Sequence, residues 1–331
     1  MTRFRAAFDL GSGATKMTLA RSLGPRRWEP IFGEEKEVLV GYAVRTSTDN
    51  RIPAPIIAKL RTALQDFSDI IMSNVPKGAL CESFGVATAV YRECLNGMEV
   101  LDQLSQEFRL PLKIISQQEE ARVGFVTACL LSDASTSIRS DHVLTWDSGA
   151  SSFQIVRGSR QGHALSNIFE GPWGNSKAFI ALVEMIQKQV PTHPSSTCNP
   201  LSREQFNTFI EFLRHDLRKQ KERAHFMQEN GLSIPIITIG GDTSGFYLSS
   251  KLIRRFDNIR AAELRQAVER DLLGKTDEEL KALNIPQVNC AVAKVALVVS
   301  VMEEFQLPPF TYFESVGTTM GLVGLEEFWK D

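Results

Sequence analysis

An apolar run that stops at an acid and a cluster of small residues can do little other than form a strand, reverse and return. Val143-Leu144-Thr145-Trp146 reads as a buried strand, Ser148-Gly149-Ala150-Ser151 as a tight turn and Phe153-Gln154-Ile155-Val156 as the returning strand, with Asp147 at the entrance. Small residues let backbone N–H groups approach an anion, and an acid at a strand end can hold a hydrated cation beside it. A single such hairpin would equally be an ordinary turn. The pattern, however, also opens the chain. Arg5-Ala6-Ala7-Phe8 is a strand, Asp9-Leu10-Gly11-Ser12-Gly13-Ala14 the acid-led turn and Thr15-Lys16-Met17-Thr18-Leu19-Ala20 the return. One Asp-x-Gly hairpin at the head of each half of 331 residues points to an internal duplication with a phosphate gripped between the halves.

Length and composition bound what such a chain can be. It is long enough for two domains, and 43% hydrophobic with 23% charged residues is the balance of a soluble globular protein. A net charge of −2 leaves no basic footprint for a nucleic-acid duplex. No apolar run has the length of a membrane span, and the short run before Asp9 is no signal peptide, so no membrane partner and a cytoplasmic location are expected. Cys81, Cys94, Cys129, Cys198 and Cys290 are scattered singly, which supports neither a disulfide framework nor a zinc site.

Between the hairpins, strands are expected over 28–40, 80–87 and 112–115, and helices over 53–72, 96–108 and 117–131. This alternation argues an α/β class with helices on a central sheet. The Ser- and Thr-rich stretch 132–140 reads as a linker between a domain over 1–131 and a second over 141–313, with 314–331 expected to pack back on the first. In the second half, strands are expected over 163–169, 234–239 and 310–313, a helix over 177–189 and a loop over 191–200. Ser202 with Gln205 signals a capping box, and 288–305 is a nearly all-apolar helix. His215-Asp216 reads as a solvated surface pair.

The two acid-led hairpins, Ile115-Ser116-Gln117-Gln118-Glu119-Glu120-Ala121-Arg122, the Gly240-Gly241-Asp242-Thr243 turn and the ending from Met302-Glu303-Glu304-Phe305 through Val316-Gly317-Thr318-Thr319-Met320-Gly321-Leu322 resemble the exopolyphosphatase and guanosine pentaphosphate phosphatase family, in a short form without a C-terminal helical domain. The resemblance implies two ribonuclease H-like domains of the actin-like ATPase and sugar kinase superfamily, with an interdomain cleft. It implies Mg²⁺ as cofactor and a homodimer. The chain departs from the family at Gly13, Ala14 and Lys16, where Asn, Ser and Arg are usual, and at Ala150 and Ser151, where two glycines are usual. Side chains there can shield backbone N–H groups from phosphate or forbid a positive φ.

Splitting a phosphoanhydride takes a cradle for the terminal phosphate, a cation and a base for water. Gly11, Ser12, Gly13 and Gly149, Ala150, Ser151, Ser152 are the expected cradle, with Thr15 adding a hydroxyl and Lys16 a charge; Asp9 and Asp147 are the expected metal ligands. By the resemblance, Glu120 is the general base, with Glu119 a supporting or solvent residue, and Arg92 lies near the phosphate chain; Arg122 braces a carboxylate. Gly240, Gly241 and Thr243 fall where related kinases hold adenosine or where phosphatases bind further phosphates. The expected activity is release of terminal orthophosphate from inorganic polyphosphate, or of the 5′ γ-phosphate from guanosine pentaphosphate. A non-catalytic sensor of the same polyanions, favoured by the altered second turn, and a small-molecule kinase are the alternatives.

Overall fold

The computed structural model describes residues 2–133, 135, 138–191, 196–227 and 234–329. The chain runs β1 (Arg3–Leu10), β2 (Ala14–Gly24), β3 (Arg27–Glu37), α1 (Val40–Thr46), α2 (Ala54–Asn74), β4 (Leu80–Ala87), α3 (Ala89–Glu93), α4 (Gly97–Phe108), β5 (Leu112–Ile114) and α5 (Gln117–Ser132). It continues through β6 (His142–Ser148), β7 (Phe153–Ser159), β8 (Ala164–Gly171), α6 (Asn175–Ala181), α7 (Arg203–Arg218) and β9 (Ile236–Gly240). Then come α8 (Gly245–Ile253), α9 (Ala261–Asp271), α10 (Asp277–Ala282), α11 (Val288–Glu304), β10 (Phe310–Glu314) and α12 (Thr319–Gly324). The expected linker 132–140 includes residues 134, 136 and 137, and the expected loop 191–200 includes 192–195, which lie outside the described residues.

Contacts divide the chain into one unit of residues 1–130 and 315–331 and another of 131–314. Each has a five-stranded mixed sheet, ordered β3-β2-β1-β4-β5 in the first and β8-β7-β6-β9-β10 in the second. In both, the leading hairpin and its third strand are antiparallel, and the next two strands join parallel to the first. The hairpin registers also coincide: Asp9 lies opposite Lys16 and Asp147 opposite Gln154, each acid facing the residue seven places on. The architecture is repeated strand for strand in the two units.

In the first unit the sheet is covered on both faces, so β1 is buried along almost its whole length. Phe4, Ala6, Phe8 and Leu10 pack with α2 and α4 residues such as Leu60, Phe67 and Leu101, whereas Ala7 packs with Val123 and Val126 of α5 and Leu322 of α12. The side chains of a strand alternate between faces. Arg5 and Asp9 therefore share the α5 and α12 face with Ala7. In the second unit α11 supplies the core, with Val292, Val295 and Val299 fully buried, and α7 packs on it. Ser202 and Gln205 form the expected capping box of α7. The expected helix over 177–189 is instead the short α6 followed by a wider π-helical turn over Leu182–Ile186, which nothing in the structure explains.

Trp146 anchors this second core, 1% exposed, with its ring 4.8 Å from that of Phe246 and 5.9 Å from that of Phe153. Trp146→Ala should destabilise the protein by about 3–5 kcal/mol, because the cavity left cannot collapse fully. Chemical denaturation followed by circular dichroism measures this; a loss below about 1 kcal/mol would contradict it.

Candidate active site

Both acid-led turns are closed by the same hydrogen bond. Gly11 N–H donates to the Ala14 carbonyl at 2.9 Å, and Gly149 N–H to the Ser152 carbonyl at 2.9 Å. A helix start then takes up the turn's outward carbonyls. In the first unit Gly41 N–H, in α1, donates to Ser12 C=O at 2.8 Å, and Val38 N–H donates to Gly13 C=O at 3.1 Å. In the second, Asn175 N–H donates to Gly149 C=O at 2.9 Å and Ser176 N–H to Ala150 C=O at 3.0 Å. A trans peptide points its N–H opposite to its C=O. With those carbonyls turned to the helix, the N–H groups of Gly13, Ala14, Ala150 and Ser151 are aimed the other way, as an anion cradle requires.

The side chains at 150 and 151 do not distort this arrangement. Among the described residues, neither has a positive φ. The close approach falls at Gly174, where a Cβ would lie 2.5 Å from the Ala150 carbonyl carbon and the Ser151 nitrogen. The glycine on which the second turn depends is thus outside the turn, and the expected strain at Ala150 and Ser151 is absent. Asn175, also missed from sequence, ties the strand end to α6 through its Nδ2 on Ser148 C=O at 3.1 Å.

Asp9 is 6% exposed, and its Oδ2 accepts a hydrogen bond from Thr318 Oγ1 at 3.3 Å. Lys16 is its cross-strand neighbour. Gly317, with φ +56°, crosses directly over this pair: a Cβ there would lie 3.0 Å from both Asp9 Oδ2 and Lys16 Nζ. Thr15 differs. It pairs with Leu10, on the opposite face of the hairpin, and is fully buried, so its hydroxyl does not join Asp9, and the period of two separates it from the group to which it was assigned.

Gly317 and Thr318 come from the far end of the chain, which is fastened to the same face of the sheet. Thr18 and Thr319 hydroxyls meet at 2.6 Å, and Gly321 N–H donates to Thr127 Oγ1 at 2.8 Å where α12 crosses α5. Arg5, 2% exposed, lies between the rings of Trp28 and Trp329, 4.4 and 4.6 Å from their centroids. Its guanidinium donates to both carboxylate oxygens of Glu326, at 2.8 and 2.9 Å, and to Val323 C=O at 2.9 Å. This cation–π and bidentate clamp secures the segment that reaches Asp9.

The two neighbouring glutamates of α5 separate cleanly. Glu119 completes a capping box: Ser116 N–H donates to its Oε2 at 2.8 Å, while Glu119 N–H donates to Ser116 Oγ at 3.1 Å. Lys113 Nζ adds a 2.8 Å bond to Oε1, and chiefly this contact holds the Glu119 carboxyl below the usual carboxylate range. The Ser-x-x-Glu signal at 116–119 was present in the sequence. Glu120, one position and about 100° further round the helix, turns elsewhere. Its Oε2 accepts from Arg92 Nη1 and Nη2 at 3.3 and 3.2 Å, and Arg92 Nη1 also donates to Ile115 C=O at 2.6 Å. Arg122 pairs with Glu327 at 3.1 Å. Thr88 N–H on Leu10 C=O at 3.2 Å and Ile115 N–H on Ala87 C=O at 3.1 Å stitch together the ends of β1, β4 and the β5–α5 junction. Arg92 and Glu120 therefore stand just beyond the carboxyl ends of parallel strands, where open α/β sheets bind ligands.

In the second unit the Gly240-Gly241-Asp242-Thr243 turn is held from beneath. Tyr312 Oη donates to Gly240 C=O at 2.8 Å, and Lys294, 6% exposed, donates through Nζ to Thr243 C=O at 2.6 Å. Burial pushes the Tyr312 phenol up, so it stays a donor. Neither residue was singled out from sequence, since each lies in an otherwise apolar or aromatic run. His215 is exposed, but Asp216 is not merely solvated: its Oδ2 accepts from Trp173 Nε1 at 2.9 Å. Among the described residues no group of three or more His, Cys, Asp or Glu side chains could hold a metal.

A family model, that of the Ppx/GppA phosphatase family, matches residues 28–168, a stretch containing Arg92, Glu120, Asp147 and the second turn. No match is found among curated protein sequences. Among solved structures, the Aquifex aeolicus Ppx/GppA family member is 17% identical with a TM-score of 0.71, over 98% of this chain and 97% of that one. An exopolyphosphatase from Cytophaga hutchinsonii is 13% identical with a TM-score of 0.71, over 97% and 96%. A nucleoside triphosphate hydrolase structure from Neospora caninum is 11% identical with a TM-score of 0.55, over 97% and 92%. The chain has the α/β architecture of the actin-like ATPases, and the resemblance to the Ppx/GppA family extends to its structure. No helix among the described residues is long and apolar enough to cross a membrane.

Removing the α5 cap gives a pH-dependent test of this geometry. Because the folded-state pKa of Glu119 is depressed, its stabilisation is present above the unfolded pKa and disappears as pH falls through the folded one. Glu119→Ala should cost about 1 kcal/mol at neutral pH, and the difference from the native chain should shrink on acidification. Denaturation across pH measures it; a pH-independent difference would contradict the assignment.

Proposed function

We propose that this chain is a phosphoanhydride hydrolase that releases terminal orthophosphate from inorganic polyphosphate, or the 5′ γ-phosphate from guanosine pentaphosphate, with Glu120 as general base. The observation that carries the reading is the division of labour in α5. Glu119 is consumed by the helix cap and Lys113, whereas Glu120 is a half-buried carboxylate held toward an arginine at the carboxyl ends of the parallel strands. The match of the Ppx/GppA phosphatase model over the residues that include both supports it.

In this reading Glu120 accepts a proton from water as its oxygen attacks the terminal phosphorus. The bridging P–O bond then breaks, its electron pair leaving with the shortened chain. Each turn, Gly11, Ser12 and Gly13 in the first unit and Gly149, Ala150, Ser151 and Ser152 in the second, offers its backbone N–H groups to phosphate oxygens, and in the first unit the Arg92 and Lys16 charges offset the developing negative charge. Gly240, Gly241 and Thr243 are assigned to a more distant part of the polyanion. Thr15 is left out because its hydroxyl lies on the other face. A single carboxylate, Asp9 in one unit or Asp147 in the other, fits the sparse protein coordination of Mg²⁺, which keeps most of its ligands as water and phosphate. That ion would neutralise phosphate oxygens as charge develops.

Orthophosphate release from long-chain polyphosphate and from guanosine pentaphosphate in Mg²⁺ tests the proposal, with the native chain beside Glu120→Gln. The variant should be slower by about a hundredfold to ten-thousandfold, the usual contribution of a general base. The faster substrate names the activity. Unchanged release in the variant would remove Glu120 from the mechanism, and tight binding without release in either protein would make the chain a polyanion sensor.

A further inference from the structure

The contact between Arg92 and Glu120 is an odd one for a base and a phosphate ligand to make with each other. The guanidinium has one short bond, 2.6 Å to the fixed carbonyl of Ile115, and two long ones, 3.2 and 3.3 Å, converging on one carboxylate oxygen. Charge-assisted bonds of this type usually measure about 2.7–2.9 Å, so the carboxylate is the loosely held partner and the carbonyl the firm one. Both side chains are partly accessible, 24% and 16% exposed. The neighbouring charges are engaged elsewhere, Glu119 with Lys113 and Arg122 with Glu327, so neither competes for this pair. While the pairing lasts, the guanidinium occupies Glu120 Oε2, and that oxygen is not turned to a water.

We propose that Arg92 restrains Glu120 until substrate arrives, pivoting on its Ile115 contact to exchange the carboxylate for a terminal phosphate oxygen and so releasing the base in the same event that binds the phosphate. This rests on the proposed hydrolase reading and makes Arg92 the coupling between binding and base activation. A terminal phosphate carries more charge and more acceptor oxygens than one carboxylate oxygen, which favours the exchange. Binding and pairing are then linked: phosphate weakens the pair by the same factor by which the pair weakens phosphate binding.

The probe is a tripolyphosphate with imido bridges, which resists hydrolysis. Its affinity is measured by calorimetry for the full chain, Glu120→Gln, Arg92→Gln and the double variant, with circular dichroism as the check on folding. Loss of the competing carboxylate in Glu120→Gln should tighten binding about tenfold when Arg92 is present, and by less than about twofold in the Arg92→Gln background. Equal tightening in both backgrounds would mean plain charge repulsion and overturn the exchange, as would no tightening in either. Should Arg92→Gln misfold, Arg92→Lys replaces it, and retention of the full effect there would also overturn the proposal, because lysine cannot span the carbonyl and a second acceptor as the fork does. Phosphate release by the native chain, assayed in parallel, separates the two claims: release with an additive cycle defeats only the exchange, whereas neither release nor probe binding defeats the hydrolase reading itself.

Discussion

The orientation of a few peptide planes governs what this molecule can bind. In each unit the first N–H groups of a short helix, or of the strand end before it, draw the carbonyls of an acid-led turn toward themselves, and planarity sends the adjoining N–H groups the other way. No glycine in the left-handed region is needed for this, so alanine and serine at 150 and 151 are tolerated. What the second turn cannot tolerate is a side chain at Gly174, against which the turn's own backbone rests. The sheet beneath each turn supplies the rest, since a register that sets Asp9 opposite Lys16 and Asp147 opposite Gln154 places each acid at the same point of its own hairpin. The two sites are not electrostatically equal, because the partner is a cation in one unit and a neutral amide in the other.

The first unit completes its acid with a segment from the opposite end of the sequence. Thr318 donates to Asp9, Gly317 passes over Asp9 and Lys16 without a side chain, and the Arg5 clamp between two indole rings keeps the segment in place. Arg5 and Asp9 stand on the same face of β1, four residues apart. The same strand thus carries the acid of the first turn and the anchor of the element that covers it.

Much of this was legible because apolar periodicity and turn chemistry are local. The hairpins, the α/β alternation, β4, the α7 capping box and the buried α11 follow from spacing alone. Thr15 shows where residue type misled, since a hydroxyl next to a phosphate turn looks useful until strand alternation sends it to the Leu10 face. At Ser116 and Glu119 the capping signal was present, and it separates the two glutamates more firmly than their order does. Gly174, Lys294, Tyr312 and the pairing of residues 317 and 318 with Asp9 were beyond reach, because each matters only through a neighbour distant in sequence. Asp216 looked solvated for the same reason, its indole partner lying forty-three positions earlier.

In the proposed reaction water, directed by Glu120, attacks the terminal phosphorus of a phosphate chain. Carrying out the reaction on tripolyphosphate in water labelled with heavy oxygen tests it most directly. Each released orthophosphate should carry one labelled oxygen, and the pyrophosphate left behind none. Label in the pyrophosphate, or consumption of the chain only when a second phosphate acceptor is supplied, would contradict it.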